Sequence, residues 1–415
     1  MTAKNNIPAG YKDSAVGIIP QEWEVKYLGD LLARLANGLT YDVSVISGHP
    51  VSRIETISSG EINYSKVGYI DNVTGCESYK MQKGDILYSH INSLAHVGKV
   101  AYYDGMQDLY HGMNLLLLRA NEKIDSNYLY AYLLTSQAKH IAQVIAKPAV
   151  NQASISISDI RKIKLAVPPM EVQRKIAEIL GVWDEAIEKQ SRLVERLELR
   201  KRALMQRLLS GRTRLPGFTT PWQKVSYTEI LKEVKRNMVW DDNEEYDLIS
   251  VKRRSGGLFH RERLLGKDIK TKNLRPALCG DFLISKMQIV HGASGLVTAE
   301  FDGMKISGSY IALVAKNREK VDMNFINWYS KTPYFYHQTY VSSYGVHIEK
   351  MTFDLDSFMS MTICIPSLPE QKAIAEVLTT ADDKIVTHRK KLDALRQQKR
   401  GLMQQLLTGK TRVKI

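Results

Sequence analysis

The chain has little cysteine: Cys76, Cys279 and Cys364 lie far apart in 415 residues, with no C-x-x-C pair. That excludes a disulfide framework and argues against a zinc site; a reducing cytoplasm fits. No apolar run approaches the ~18 residues needed to cross a bilayer. The opening Met-Thr-Ala-Lys-Asn-Asn has no apolar h-region, so we expect a cytoplasmic protein, neither exported nor membrane-embedded.

Catalytic signatures are equally scarce. Gly409-Lys410-Thr411 lacks the upstream glycine of a phosphate loop, position 404 being Gln, and has no helix after it. Ala166-Val167-Pro168-Pro169-Met170 has neither the leading Asn/Asp nor the aromatic residue of an amino-methyltransferase element. Glu-x-Lys triplets at Glu24–Lys26, Glu233–Lys235 and Glu370–Lys372 have no placed upstream Asp, which removes the nuclease reading. No His-rich metal spacing occurs. We expect no catalytic residue, no metal site and no cofactor bound by this chain.

Acidic residues are also in deficit: 44 Asp and Glu face 58 Lys and Arg, a net charge of +14. No basic tail accounts for the excess, which suits a polyanionic partner, most often nucleic acid; the alternative is a charge kept for solubility. An apolar content of 44% is that of a globular protein, and the length implies two domains.

Sliding the chain against itself by 198 residues reveals a tandem repeat. Pro168 falls on Pro366, Gln173 on Gln371, Ile176-Ala177-Glu178 on Ile374-Ala375-Glu376, and Asp184 on Asp382. Lys201-Arg202 falls on Lys399-Arg400, and Gly211, Thr213 and Arg214 fall on Gly409, Thr411 and Arg412. Each copy reads as a long helix between a proline cluster and a glycine C-cap. Within it the seam positions step by 4, 3, 4, 3. The first copy runs Ile176, Leu180, Trp183, Ile187, Gln190, Val194, Leu197, Lys201, Leu204, Leu208. The second runs Ile374, Leu378, Ala381, Ile385, His388, Leu392, Leu395, Lys399, Leu402, Leu406. Such a seam specifies a coiled-coil pair. Its polar members, Gln190/His388 and Lys201/Lys399, either set register or snorkel past a loose seam. An antiparallel pair is expected, because a parallel one would require the second module to span the helix length. The C-terminus then returns near the N-terminus and the halves are related by a pseudo-two-fold axis.

Ahead of each helix lies a mixed α/β module, and the two modules match more weakly than the helices. Trp23 and Trp222 open them, each followed by a short helical stretch ending Leu31-Leu32 or Ile230-Leu231. Gly84-Asp85-Ile86-Leu87 and Gly280-Asp281-Phe282-Leu283 read as turns into buried strands, with hairpin partners near Gly98-Lys99-Val100 and Gly295-Leu296-Val297. Asp125 and Asp322 read as N-caps of short aromatic-rich helices. Tyr102-Tyr103, Tyr128, Tyr130 and Trp328-Tyr329 are expected to pack in the core rather than stack on bases. The resulting segments are 1–167, 168–210, 211–365, 366–408 and a tail, 409–415. Matched helices beside diverged modules imply one scaffold role done twice and one reading role done differently. Dimeric DNA binders space their half-sites by about 34–36 Å; here one chain would supply both readers.

At this point the chain resembles a known family. Gly17-Ile-Ile-Pro-Gln-Glu-Trp-Glu-Val-Lys-Tyr-Leu-Gly-Asp30, the two Gly-Asp strands, and the junctions Ile163–Ala177 and Ile363–Ala375 are similar to those of type I restriction–modification specificity subunits. The resemblance covers the whole chain in the family's order. One departure is the Pro-Trp222-Gln opening of the second module, which lacks the fuller Ile-Pro-x-x-Trp form. The resemblance implies an α+β fold of two target-recognition domains separated by two long antiparallel coiled-coil helices. It also implies a non-catalytic subunit that selects a bipartite, asymmetric site in double-stranded DNA and docks two methyltransferase subunits. Restriction subunits would join the full complex, with S-adenosylmethionine, ATP and Mg bound by these partners. The alternative is a free-standing, sequence-specific DNA-binding regulator.

Candidate DNA contacts are polar and basic residues in loops, since Asn and Gln suit adenine edges while Arg and Lys suit guanine or phosphate. In the first module they are Thr40, Tyr41, Arg53, Lys66, His90, Asn92, Ser93, Asn151, Gln152 and Ser154. In the second they are Lys252, Arg253, Arg254, Lys286, Gln288, His291, Tyr344 and His347.

Overall fold

The computed structural model describes residues 7–150 and 152–415. The chain divides into two compact units: residues up to Gln190 together with Lys391–Ile415, and Ser191–Lys390. The division falls inside both long helices, Met170–Leu208 and Leu368–Leu406, so each unit holds one module and a length of each helix.

Both modules share one sheet order. In the first unit, Leu32–Asn37, Leu116–Ala120, Ile86–Tyr88 and Val100–Tyr102 are neighbours in that order, all antiparallel. In the second, Leu231–Glu233, Tyr310–Ala315, Phe282–Ser285 and Ser294–Leu296 repeat it. The Gly-Asp strands are buried at every position, which is why they read as unbroken apolar runs. Each module closes on itself where the strand at its opening tryptophan pairs with its last strand: Glu24–Tyr27 with Lys164–Val167, and Gln223–Ser226 with Thr362–Ile365. The chain passes from that pair directly into a long helix. The expected caps form as well. The Asp125 carboxylate accepts from the N–H groups of Asn127 and Tyr128, and that of Asp322 from Phe325.

The aromatic residues pack in the core as expected: Tyr103, Tyr128, Trp328 and Tyr329 are buried. Divergence is concentrated between the opening strand and the Gly-Asp strand. There the first unit has a two-stranded sheet, His49–Val51 with Gly68–Ile70. The second has a four-stranded one built on Glu245–Val251 and Leu258–Leu265, to which Lys305–Ser307 is added from beyond the Gly-Asp strand.

The helix seam is where its period put it. Ile176, Leu180, Val194, Leu208, Ile374, Leu378, Ile385, Leu392 and Leu406 are buried. Trp183, Ile187, Leu197, Leu204, Leu395 and Leu402 are half-buried. Within each unit the two helix segments run antiparallel. In the first, Ile176 and Leu180 share a core with Met403, Leu406 and Leu407, and Asp184 pairs with Lys399. In the second, Leu204, Met205 and Leu208 pack with Ile374 and Leu378, and Lys201 pairs with Asp382. The seam lysines therefore do not run free into solvent. Each pairs with an aspartate of the facing helix, and the two pairs are equivalents under the repeat, so register is written twice.

The seam ends as its glycines suggest. Gly211 and Gly409, at φ +71° and +72°, occupy the left-handed conformation that closes a helix with least strain in glycine. In the first unit the Tyr11 hydroxyl donates to Gly409 O at 2.9 Å and Arg412 pairs with Glu22, so the C-terminal residues pack beside the first module. Among the described residues, no helix is long and apolar enough to cross a membrane.

Candidate nucleic-acid interface

In the first unit the candidate residues fall into two groups. Tyr41 is half-buried among Val51, Ile70 and Tyr110, and burial raises its pKa. Its ring lies so close to Gly68 that any Cβ there would stand 2.5 Å from the hydroxyl. Tyr41 is thus a packing residue beside exposed Thr40, a correction to its reading as a free loop side chain. The Thr56 hydroxyl accepts from Arg53 N at 2.9 Å and donates to Lys66 O at 2.7 Å, which draws the exposed Arg53 and Lys66 together. Arg53 also lies 3.6 Å from Glu55.

The second group is a strand edge. Ile91–Asn92 pairs with Gln152–Ser154, placing Asn92 opposite Ala153, so residues about sixty apart in sequence become neighbours. Asn92 Nδ2 donates to Ser89 Oγ at 3.1 Å while its Oδ1 accepts from Ser93 N, leaving the side chain oriented but half-exposed. Ser93 Oγ lies 2.8 Å from His96 Nδ1, an exposed histidine that the sequence reading missed. Gln152 is exposed and Ser154 half-buried; Asn151 lies outside the described residues.

His90 is a correction. It follows the buried Gly-Asp strand and looked like the start of a loop, but it is only 7% exposed. Burial pushes its pKa down to about 4, because an imidazolium there would lose its hydration. It is a buried histidine, neutral at physiological pH, rather than an open loop side chain.

The second unit gathers its candidates more tightly. The loop 252–257 joins the strands Glu245–Val251 and Leu258–Leu265. Arg254 and Ser255 sit at φ +57° and +53°, a conformation costly for residues bearing a Cβ. Two hydrogen bonds hold it: Arg254 N donates to His291 O at 2.7 Å, and Ser255 N to Gly292 O at 2.9 Å. Gly292 is required there, since a Cβ would meet the Tyr336 hydroxyl at 1.9 Å. Lys252, Arg253 and Arg254 all remain exposed.

Lys286 continues the Gly-Asp strand; its carbonyl accepts from Phe353 N at 3.0 Å. That bond docks the hairpin Ser343–Tyr344/Thr352–Phe353, which carries the exposed Tyr344 and His347. Lys286, Gln288 and His291 are half-buried. Glu349, at the far end of that hairpin, was not anticipated. Its carboxylate takes Arg253 Nη2 at 2.8 Å on one oxygen and has His291 Nε2 at 3.1 Å from the other. A search for basic and amide side chains passes over an acid, and only the fold brings positions 253, 291 and 349 together.

Each unit therefore presents the end of its Gly-Asp strand beside a strand pair, Lys147–Ala149 with Gln152–Ser154 in the first and Ser343–Tyr344 with Thr352–Phe353 in the second. Among the described residues no group of three or more His, Cys, Asp or Glu is placed to hold a metal ion. The Glu24–Lys26 and Glu233–Lys235 triplets form local ion pairs, and Glu370 is buried against Arg214.

Comparison with known proteins agrees with this layout. The type I restriction modification DNA specificity domain matches twice, over residues 20–198 and 221–397. A putative type I restriction enzyme MjaX specificity subunit of Methanocaldococcus jannaschii is 33% identical over 425 residues, covering 97% of this chain and 97% of that protein. The MjaVIII specificity subunit of the same organism is 21% identical, over 95% and 94%. Among solved structures, the type I restriction–modification S subunit from M. genitalium superposes with a TM-score of 0.60 over 98% of both chains at 15% identity, a likeness of fold.

Proposed function

We propose, since the chain belongs to the family of type I restriction–modification specificity subunits, that each module reads one half of a bipartite, asymmetric duplex DNA site. The observation that carries this reading is the repeated sheet order beneath unlike loops: one scaffold, built twice, presents different side chains at the same strand end. Two different readers on one chain suit two different half-sites. The chain itself does no chemistry in this account. It docks two methyltransferase subunits, which bind S-adenosylmethionine, and restriction subunits that use ATP and Mg join the full complex in the cytoplasm.

Module exchange tests it. Replacing residues 1–167 with the first module of another specificity subunit should change one half of the methylated motif and leave the other intact. A motif altered in both halves, or in neither, refutes independent reading. Full sequence-specific affinity by the isolated chain would instead favour a free-standing regulator.

Within the second reader, Arg254 is exposed and held by its backbone alone, free to meet a phosphate. Arg254→Ala should lower the slope of log K against log salt by about 0.9, the value for one lost phosphate contact. An unchanged slope removes Arg254 from the contacts.

A further inference from the structure

We infer that Glu349 is a base-reading residue, selecting an exocyclic amino group, cytosine N4 or adenine N6, at one position of the half-site read by the second module. The inference rests on the proposal that this surface meets duplex DNA. Glu349 is an acid set against Arg253, which belongs to the basic run Lys252–Arg254, and against His291. Against phosphates a carboxylate is repulsive, so it has no use as a backbone contact. An ionised carboxylate only accepts hydrogen bonds. In the major groove guanine and thymine present acceptors to it, while cytosine N4 and adenine N6 are the donors. A carboxylate thus favours two bases and repels the other two.

The local geometry suits that task. Arg253 donates to one oxygen at 2.8 Å, while the other lies 3.1 Å from His291 Nε2 without forming a hydrogen bond, which tethers the carboxylate on one side and leaves lone pairs on both oxygens. The Glu349 side chain is still 58% exposed. Its hairpin neighbours Val346 and Ile348 are 95% and 50% exposed. Apolar side chains gain nothing at a phosphate, but they can contact a thymine methyl. The loop bearing Arg253 is itself pinned to His291 and Gly292, so the two residues that flank the carboxylate belong to one braced surface.

The test uses the chain assembled with its methyltransferase partners and a duplex library randomised across the half-site. Wild type should prefer cytosine or adenine at one position, and Glu349→Ala should lose that preference by roughly 5- to 150-fold. Glu349→Gln, which gains a donor, should shift preference toward adenine. Removing the amino group from the DNA, with 2-pyrimidinone for cytosine or purine for adenine, should cost wild type as much as the mutation does and cost the alanine variant nothing. That arm also tells the two bases apart. A Glu349→Ala complex that binds every sequence more tightly with its motif intact would overturn the inference, leaving Glu349 as a damper of charge. A wild-type complex with no preference in either half would overturn the specificity reading itself. Unchanged thermal unfolding of the variants shows that the fold is not at issue.

Discussion

Arg119→Met should destabilise the first unit by about 3–5 kcal/mol, because it strands a buried carboxylate. Asp85, 1% exposed in its side chain, receives Arg119 Nε and Nη2 at 2.7 and 2.8 Å and Gln82 N at 2.7 Å. With the guanidinium gone, the carboxylate keeps one backbone donor and little water. The paired change Asp85→Leu with Arg119→Met should recover all but about 1–2 kcal/mol, the cost of an unpartnered Gln82 N–H. Urea unfolding measures both. A single variant that loses less than about 1 kcal/mol would show that solvent reaches Asp85. The second unit repeats the device with a difference. Asp281 accepts from Leu278 N at 2.8 Å and from Arg236, which follows the strand Leu231–Glu233 rather than lying on the equivalent of the Arg119 strand. The acid is kept by the repeat while its partner comes from another place.

Gln371→Ala is expected to cost about 2–3 kcal/mol, since it deprives three backbone groups, one buried and two part-buried, of their partner at once. Its Oε1 accepts from Asp322 N at 2.9 Å, and its Nε2 donates to Lys320 O and Pro366 O, each at 2.9 Å. Gln173 makes the same three contacts to Asp125, Lys123 and Pro168 at 2.8, 3.3 and 2.9 Å. Each glutamine thus ties the cap of a module helix to the start of a long helix, and orients the module on its scaffold. Gln173→Ala should therefore lose a comparable amount. Equilibrium unfolding of the two variants checks this, and a loss under about 1 kcal/mol in both would mean that water replaces the amide without penalty. Gln371→Glu should be worse than Ala, because a carboxylate cannot donate to the two carbonyls and brings a charge into a buried site.

Much of the scaffold was legible because its signals are local and periodic. The seam can be counted off from Ile176 to Leu208 without knowing what faces it, and the Gly-Asp turns and Asp caps announce their own elements. The candidate interface was legible only in part. Asn92 and Gln152 are separate candidates in the sequence, and their adjacency comes from strand pairing. His90 was misread because its burial depends on what covers the strand end. Glu349 was missed because its meaning lies in Arg253 and His291, which are distant in sequence.

From sequence alone come the duplication, the two helices, their polar interruptions and the asymmetry between matched helices and diverged modules. These follow from spacing along one chain, where side-chain period and turn chemistry act over a few residues. Only the tertiary structure decided that Lys201 and Lys399 answer Asp382 and Asp184, that one buried aspartate motif draws its arginine from two different places, and that an acid stands against the basic loop of the second module. Those are long-range pairings, set by which surfaces the packed core brings within hydrogen-bond distance, and no local pattern encodes them.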